Sequence, residues 1–293
     1  MPAPTDPDAV RQQFATDDIL RIRQEIHDTY TVPKLDHVQW VVDCLHWRGE
    51  GRLLDVGCGA GRYYDAIARS HPELKYYGLD LSYGMLTKHP GAGYVTIGDA
   101  QDLPYHEDSF DVITANHMLY HVPDIDRAIT EFKRLLKPDG VLLVTTNSTQ
   151  SMPELQVLMR RAIVLLARTG ASQIEAPAPA SDLFALENGS KQLSRYFYGV
   201  VRHDLPSALV FPDIEPVMTY LESTRNMREP QLPPDVAWDD VMMIMRQQIT
   251  HLIQHLGSLV INKLTGVLIA SDRGDFVRGF VEARERSMAE AGH

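Results

Sequence analysis

Leu53-Leu54-Asp55-Val56-Gly57-Cys58-Gly59-Ala60-Gly61 is the stretch on which the fold turns. An apolar run ending in an acid and then three alternate glycines reads as a strand entering a helix through a tight loop. In open α/β sheets, ligands bind at that carboxyl edge. Glycine at 57, 59 and 61 lets backbone approach a ligand where a Cβ would collide. A dinucleotide fingerprint needs its third glycine at the sixth position, and counting from Gly57 that position is Arg62. The shorter spacing argues against a pyrophosphate on the helix N-terminus. Asp55 suits a ligand carrying an ammonium group. Three glycines alone also fit an ordinary turn, so the neighbouring strands decide.

Those strands follow in a regular alternation. KYYGLD (75–80), YVTIGD (94–99), FDVITAN (110–116) and GVLLVTT (140–146) are separated by helical stretches at 61–70, 82–88 and 124–137 and by a loop. Short apolar strands alternating mostly with helices predict a parallel sheet covered on both faces, hence an α/β fold. In the 124–137 helix Asp124 is the predicted cap. Ile125, Ala128, Ile129, Phe132, Leu135 and Leu136 form its buried stripe, and Pro138-Asp139-Gly140 stops it.

On either side the pattern changes. Residues 1–15 read as a frayed tail, and 17–47 as helical with a break near Pro33. After Thr146 come an apolar helix at 153–169, an Ala/Pro linker at 176–180, a strand at 195–203 and a short helix at 213–225. A helix at 235–256 capped by Gly257 and a last strand or hairpin arm at 258–271 follow. The expected organisation is an N-terminal helical lid (1–50), a ligand-binding α/β core (51–147), and a helical insertion forming a substrate cap, with the final strands, at 148–293.

Composition narrows the function. The 293 residues are 44% hydrophobic and 23% charged, enough apolar material for a sizeable core. Twenty-eight basic against 39 acidic residues give a formal charge of −11 with no dense basic run, so nucleic acid is not expected as a partner. Two cysteines, Cys44 and Cys58, make no disulfide framework and fit a reducing compartment. No signal peptide and no window of ~18 apolar residues is present, so the reading is a cytoplasmic protein without a membrane partner.

Three strand ends carry acids in an order that a nucleoside ligand explains. Asp80 stands 19 residues after Gly61, the place for an acid that accepts both ribose hydroxyls. Met85 follows at a distance suited to packing on a purine face. Asp99, with Ala100 and Gln101, ends the third strand, where a carboxylate accepts from an adenine amino group. Each acid taken singly fits a helix cap or loop carboxylate equally well. Here the sequence resembles the class I S-adenosylmethionine-dependent methyltransferases. LLDVGCGAGRY is similar to their first motif, YYGLDLSYGML to the second and VTIGDAQDLPYHEDSFDVI to the third. ANHMLYHVPD and FKRLLKPDGVLLVTT resemble the fourth-strand loop and fifth strand. The likeness is close over 51–147 and extends loosely, through FALENGSKQLSRYF, to a bacterial subgroup acting on small molecules.

The resemblance implies a Rossmann-like seven-stranded sheet of order 3-2-1-4-5-7-6 with strand 7 antiparallel, and S-adenosyl-L-methionine as cofactor. It assigns Gly57, Gly59 and Gly61 to the cofactor's amino-acid moiety, Asp80 to its ribose, and Asp99 and Ala100 to its adenine; Asp55, Cys58, Leu81, Met85 and Gln101 complete the expected cofactor-binding residues. Asn116 would present its carbonyl to the methionyl ammonium.

Because the cofactor supplies the electrophile, the protein's part is to bind, align and, where needed, remove a proton from the acceptor. His117 and His121, just past the fourth strand, are the candidates. His117 is nearest the strand end and is the first choice as base; His121 fits a structural or cofactor-gating role, and local packing of both is the competing reading. His117-x-x-x-His121 and His251-x-x-x-His255 have metal-ligand spacing but no flanking Glu or third ligand, so no metal is expected. His27 and Tyr30 either close over the ligand or pack their helix. The 153–169 and 235–256 helices, with Met159, Met242, Met243 and Met245, are candidate substrate walls or core. Arg160 and Arg161 fit an acidic substrate or a solvated face.

The expected function is methyl transfer to a small-molecule acceptor, oxygen before nitrogen or carbon, in specialised-metabolite biosynthesis, with a homodimer as one possible assembly. A nicotinamide-dependent oxidoreductase would need the longer glycine spacing. A non-catalytic partner or regulator that kept the pocket would carry the same motifs.

Overall fold

A computed structural model describes residues 18–47, 49–167, 175–273 and 278–279. The expected tail at 1–15 and Arg168 lie outside these residues. In chain order the elements are α1 (Asp18–Tyr30), β1 (Thr31–Val32), α2 (His37–Asp43), β2 (Gly51–Val56), α3 (Tyr64–Ser70), β3 (Leu74–Asp80), α4 (Tyr83–Leu86) and β4 (Val95–Ile97). There follow β5 (Phe110–Asn116), α5 (Ile125–Leu135), β6 (Leu136–Asn147), α6 (Pro153–Leu166), α7 (Leu186–Leu193) and β7 (Gly199–Phe211). The last are α8 (Ile214–Glu222), α9 (Arg225–Arg228), α10 (Trp238–Leu256) and β8 (Leu259–Ser271).

One sheet runs β1-β7-β8-β6-β5-β2-β3-β4. Counted from β2, the seven longer chain segments keep the order 3-2-1-4-5-7-6, with β8 antiparallel to both neighbours. The sheet has eight strands rather than seven because Thr31 and Val32 pair with Leu209 and Ala208 at the β7 edge. The central strands are buried on both faces: Leu53, Leu54, Val112 and Ile113 have no exposed surface. One face is covered by α5 and α7 through Ala128, Ile129, Phe132, Leu186 and Leu193. The other is covered by α2 and α3 through Val41, Val42, Ala66 and Ile67.

The local signals explain most boundaries. Asp124 caps α5 by accepting from the Arg127 amide at 2.9 Å. Gly257 ends α10 in the left-handed region at φ 80°. Pro138-Asp139-Gly140 is not a loop before the strand but an irregularity within β6, where the register against β5 jumps from Phe110↔Leu136 to Val112↔Val141.

The strand expected at 195–203 runs instead through Pro206 to Phe211, paired residue for residue with β8. Proline is tolerated there because β7 is an edge strand at that point: β1 reaches only Ala208 and Leu209. β8 leaves β6 at Thr265, opposite Asn147, so Leu259–Leu264 and the facing half of β7 project past the sheet. That projecting hairpin carries a second core, built with Ile26, Met159, Leu221, Trp238, Val241 and Met245 around Leu209, Phe211 and Ile261. The first helix, α1, belongs to this upper core, whereas α2 packs on the sheet.

Candidate active site

Between the carboxyl edge of the sheet and the upper core lies a cavity of about 680 Å³, within the ~300–1,000 Å³ typical of small-molecule sites. Its lower wall is the loop after β2. Gly57 donates to the Leu79 carbonyl at 2.7 Å, with φ 71°. A Cβ there would lie 2.7 Å from the Met118 Cβ, so only glycine brings this turn against the β5 loop. Cys58, Gly59 and Ala60 continue along the cavity wall.

Asp80 closes β3 beside this loop. Its Oδ2 accepts from the Gly59 amide at 2.9 Å and its Oδ1 from the Ser82 amide at 2.8 Å. Burial raises its pKa, opposed by those amides. Each oxygen keeps a further lone pair for a hydroxyl from the cavity. Leu81, Met85, Ala100 and Gln101 line the same end. Asp99 lines it too, although its Oδ1 already accepts from the amide and side chain of Gln101, at 2.9 and 3.0 Å. Gln101 in turn accepts from the Asp124 amide at 3.1 Å, tying this corner to α5. Asn116 and His117 sit opposite, where β5 ends; the Asn116 Oδ1 accepts from Thr145 Oγ1 at 2.6 Å. A diol-accepting carboxylate, an apolar slot and a glycine-lined turn are the donor set and shape that the nucleoside of S-adenosylmethionine requires.

Two of the expected ligand contacts do not reach this cavity. Asp55 is 1% exposed and turned into the sheet, accepting from Thr114 Oγ1 at 2.7 Å and Tyr76 Oη at 3.0 Å. Its carboxylate joins β2, β3 and β5 beneath the loop. Burial pushes its pKa up to about 6, against the hydrogen bonds from Thr114, Tyr76 and Asn116. The Gly91 amide donates to His89 Nδ1 at 2.9 Å, which puts the ring proton on Nε2, 3.1 Å from Tyr76 Oη. Gly61, at φ 82°, faces this network instead: a Cβ would lie 2.6 Å from Pro90 Cδ. Its freedom serves the packing of the loop on His89-Pro90.

His117 and His121 both line the cavity. His117 adopts φ 55°, and its ring centroid lies 5.8 Å from that of His37. Burial, reinforced by His37, Arg62 and Lys263, pushes the His117 pKa down to about 3. Burial beside Arg23 lowers His121 to about 4. Each imidazole is therefore neutral at pH 7 and retains an unprotonated nitrogen. His27 also lines the cavity, edge-on to Tyr220 at 5.6 Å, while Tyr30 packs on Phe211 at 4.9 Å.

The upper wall differs from the expected one. No residue of α6 or α10 lines the cavity; Met159, Met242 and Met245 are buried in the upper core and Met243 is exposed. Arg160 and Arg161 are on the solvated side. The wall comes instead from α1, α8, α9 and the projecting β7–β8 hairpin, through Arg23, Leu205, Ser207, Tyr220, Arg228 and Lys263. Of these only Lys263 left a signal, a lysine within the apolar run LVINKLTGVLIAS. His251 and His255 are exposed on α10, their rings 4.1 Å apart. Among the described residues no group of three His, Cys, Asp or Glu side chains could hold a metal ion. No helix among them is long and apolar enough to cross a membrane.

Residues 54–144 match the family model described as a methyltransferase domain. Demethylmenaquinone methyltransferase of Staphylococcus haemolyticus is 34% identical over 129 residues, covering 40% of this chain and 53% of that protein. The chain spans about half the length of the relatives it matches. Among solved structures, the [4+2]-cyclase SpnF is 18% identical, with a TM-score of 0.56 over 94% of this chain and 99% of that one. Phosphoethanolamine N-methyltransferase 2 of Haemonchus contortus, in complex with phosphomonomethylethanolamine and S-adenosylhomocysteine, is 15% identical. Its TM-score is 0.53 over 93% of this chain and 61% of that one. At these identities the two structures share the fold with this chain.

Proposed function

We propose that this chain, through a class I S-adenosylmethionine-dependent methyltransferase domain that includes residues 54–144, moves a methyl group to an oxygen of a small-molecule acceptor in specialised-metabolite biosynthesis. The observation that carries the reading is Asp80, ordered by the Gly59 and Ser82 amides, in one cavity with Asn116 and His117. When bound, S-adenosylmethionine supplies an electrophilic sulfonium methyl that is displaced in line.

The chain's own residues bind, orient and deprotonate. Asp80 holds the ribose diol; Leu81, Met85 and Ala100 enclose the adenine, with Asp99 and Gln101 at its polar edge. The turn at Gly57, Cys58 and Gly59 brings backbone against the amino-acid moiety, and Asn116 offers it a carbonyl. His117, neutral at working pH, accepts the acceptor's hydroxyl proton on its unprotonated ring nitrogen. His121 packs beside Tyr120 and shapes the passage to the upper wall, at a ring separation of 4.7 Å. The walls from α1, α8, α9 and the hairpin exclude water and favour a small acceptor over a macromolecular surface.

The test is turnover of methyl-labelled S-adenosylmethionine against a panel of small phenols, alcohols, amines and carbon acids. Label in an oxygen-methylated product supports the reading. Binding of the cofactor without label transfer to any acceptor would favour a regulatory or partner protein.

A further inference from the structure

The two ends of the cavity carry opposite charge. Asp80 and Asp99 line the end assigned to the nucleoside, whereas Arg23, Arg62, Arg228 and Lys263 line the other. In a chain of formal charge −11 this clustering runs against composition. Arg62 is neutralised by Asp28 at 2.9 Å. The other three make no ion pair with a carboxylate among the described residues. Arg23 donates from Nε to Ser223 Oγ at 3.1 Å and from Nη2 to the Ser223 carbonyl. Among the described residues the guanidinium of Arg228, 8% exposed, reaches only the Pro177 carbonyl at 3.3 Å and Met159 Sδ at 3.4 Å. Lys263 donates to Thr31 Oγ1 at 3.2 Å.

Arg23 and Arg228 form the stronger half of this cluster. Each lies within electrostatic reach of the other and of Tyr220, which also lines the cavity. Two guanidinium groups withdrawn from water repel one another, and each loses hydration that neutral acceptors replace only in part. The carboxylate that bears on Arg228 is Asp182, and the two make no ion pair. A guanidinium presents a planar fork of donors, more than serine and proline oxygens use, and the fork matches carboxylate or phosphate. Leu20, Leu35, Leu205 and Met227 supply apolar surface in the same cavity.

We propose that Arg23 and Arg228 bind an anionic group, a carboxylate or phosphate monoester, on the apolar body of the methyl acceptor. That the bound molecule is the methyl acceptor rests on the methyl-transfer reading; the anion site itself does not. The pair fixes one end of the molecule at the upper wall, so that its opposite end lies toward His117. Both arginines lie outside the 54–144 match, so this selectivity belongs to the chain's own cap.

The test is calorimetric titration of S-adenosylhomocysteine-loaded protein with octanoate, octyl phosphate, octanol and octylamine at one low ionic strength. Octanoate or octyl phosphate is expected to bind about tenfold or more tighter than octanol, and the better of the two identifies the anion. Arg23→Gln and Arg228→Gln should each reduce that preference about fivefold or more while holding S-adenosylhomocysteine affinity within about twofold. Arg23→Lys and Arg228→Lys, which keep the charge, should retain part of it, and S-adenosylhomocysteine affinity reports whether each variant is folded. The proposal is overturned if octanol or octylamine binds as tightly as the anions, or if the preference survives in both glutamine variants. Should S-adenosylhomocysteine itself fail to bind, the methyl-transfer reading falls; the same series on free protein then decides the anion site independently.

Discussion

The Asp80 carboxylate accepts the Gly59 amide at 2.9 Å, so the acid at the end of one strand holds the glycine turn at the end of its neighbour. Asp80 also lines the cavity. The carboxylate proposed to hold the ribose is therefore the one that fixes the loop, positioned before any ligand arrives. Pre-ordering of this kind removes part of the entropy loss of binding.

Gly57→Ala should weaken both fold and cofactor site. The new methyl would meet Met118 Cβ at 2.7 Å in a backbone region that alanine disfavours. A stability loss of about 1–3 kcal/mol is expected, together with about tenfold weaker S-adenosylmethionine binding. Urea unfolding and calorimetry measure the two; wild-type values in both would remove the close approach from the account.

His117→Asn separates proton transfer from binding. Asparagine tolerates the left-handed backbone at φ 55° but cannot act as base. Turnover should fall by about 100-fold with cofactor affinity unchanged. Since His117 and His121 are pushed down to about 3 and 4, wild-type kcat should show no histidine titration between pH 5 and 8. A clear inflection near pH 6.5 that vanishes in His117→Asn would contradict the buried, neutral imidazole.

Asp55 gives a stability signature with a defined sign. Its folded pKa is raised from 3.8 to about 6, so between these values the folded state binds more protons than the unfolded state. Its contribution is therefore fully present below about pH 4 and is lost as pH rises through about 6. The difference corresponds to about 3 kcal/mol. Asp55→Asn cannot titrate, so the stability of wild type relative to this variant should decline from pH 4 to pH 7 in parallel urea series. A constant difference would mean that Asp55 carries no such shift.

Trp238→Ala should damage the upper core selectively. The indole is 1% exposed and its Nε1 donates to Glu222 Oε2 at 2.9 Å. A loss of about 3–5 kcal/mol is expected. In whatever fraction remains folded, cofactor affinity should suffer less than acceptor affinity, because Trp238 belongs to the hairpin core and not to the sheet. Equal loss of both would show that the two cores act as one.

The lower half of the site was legible in the sequence because strand ends follow a fixed grammar. An apolar run stopping at Asp80 or Asn116 places that residue at the carboxyl edge whatever the tertiary context. Asp55 stands one residue before the end of its strand, and the side-chain alternation of a strand turns it inward to Tyr76 and Thr114. The upper wall was illegible because a non-local feature builds it. β7 continues through Pro206, the hairpin leaves β6 at Thr265, and α1 swings onto it, bringing Arg23, Arg228 and Lys263 together from distant positions. Apolar periodicity marked α6 and α10 correctly as helices yet cannot say that they stand behind the wall.

Titration of the purified chain with S-adenosylmethionine and, separately, with NADH decides which cofactor this cavity takes. Saturable, roughly micromolar binding of the first alone is expected, weakened about 100-fold in Asp80→Ala through lost charge-assisted bonds to the ribose diol. Absence of S-adenosylmethionine binding in the folded wild type, or binding unaffected by Asp80→Ala, would contradict the assignment of this cavity.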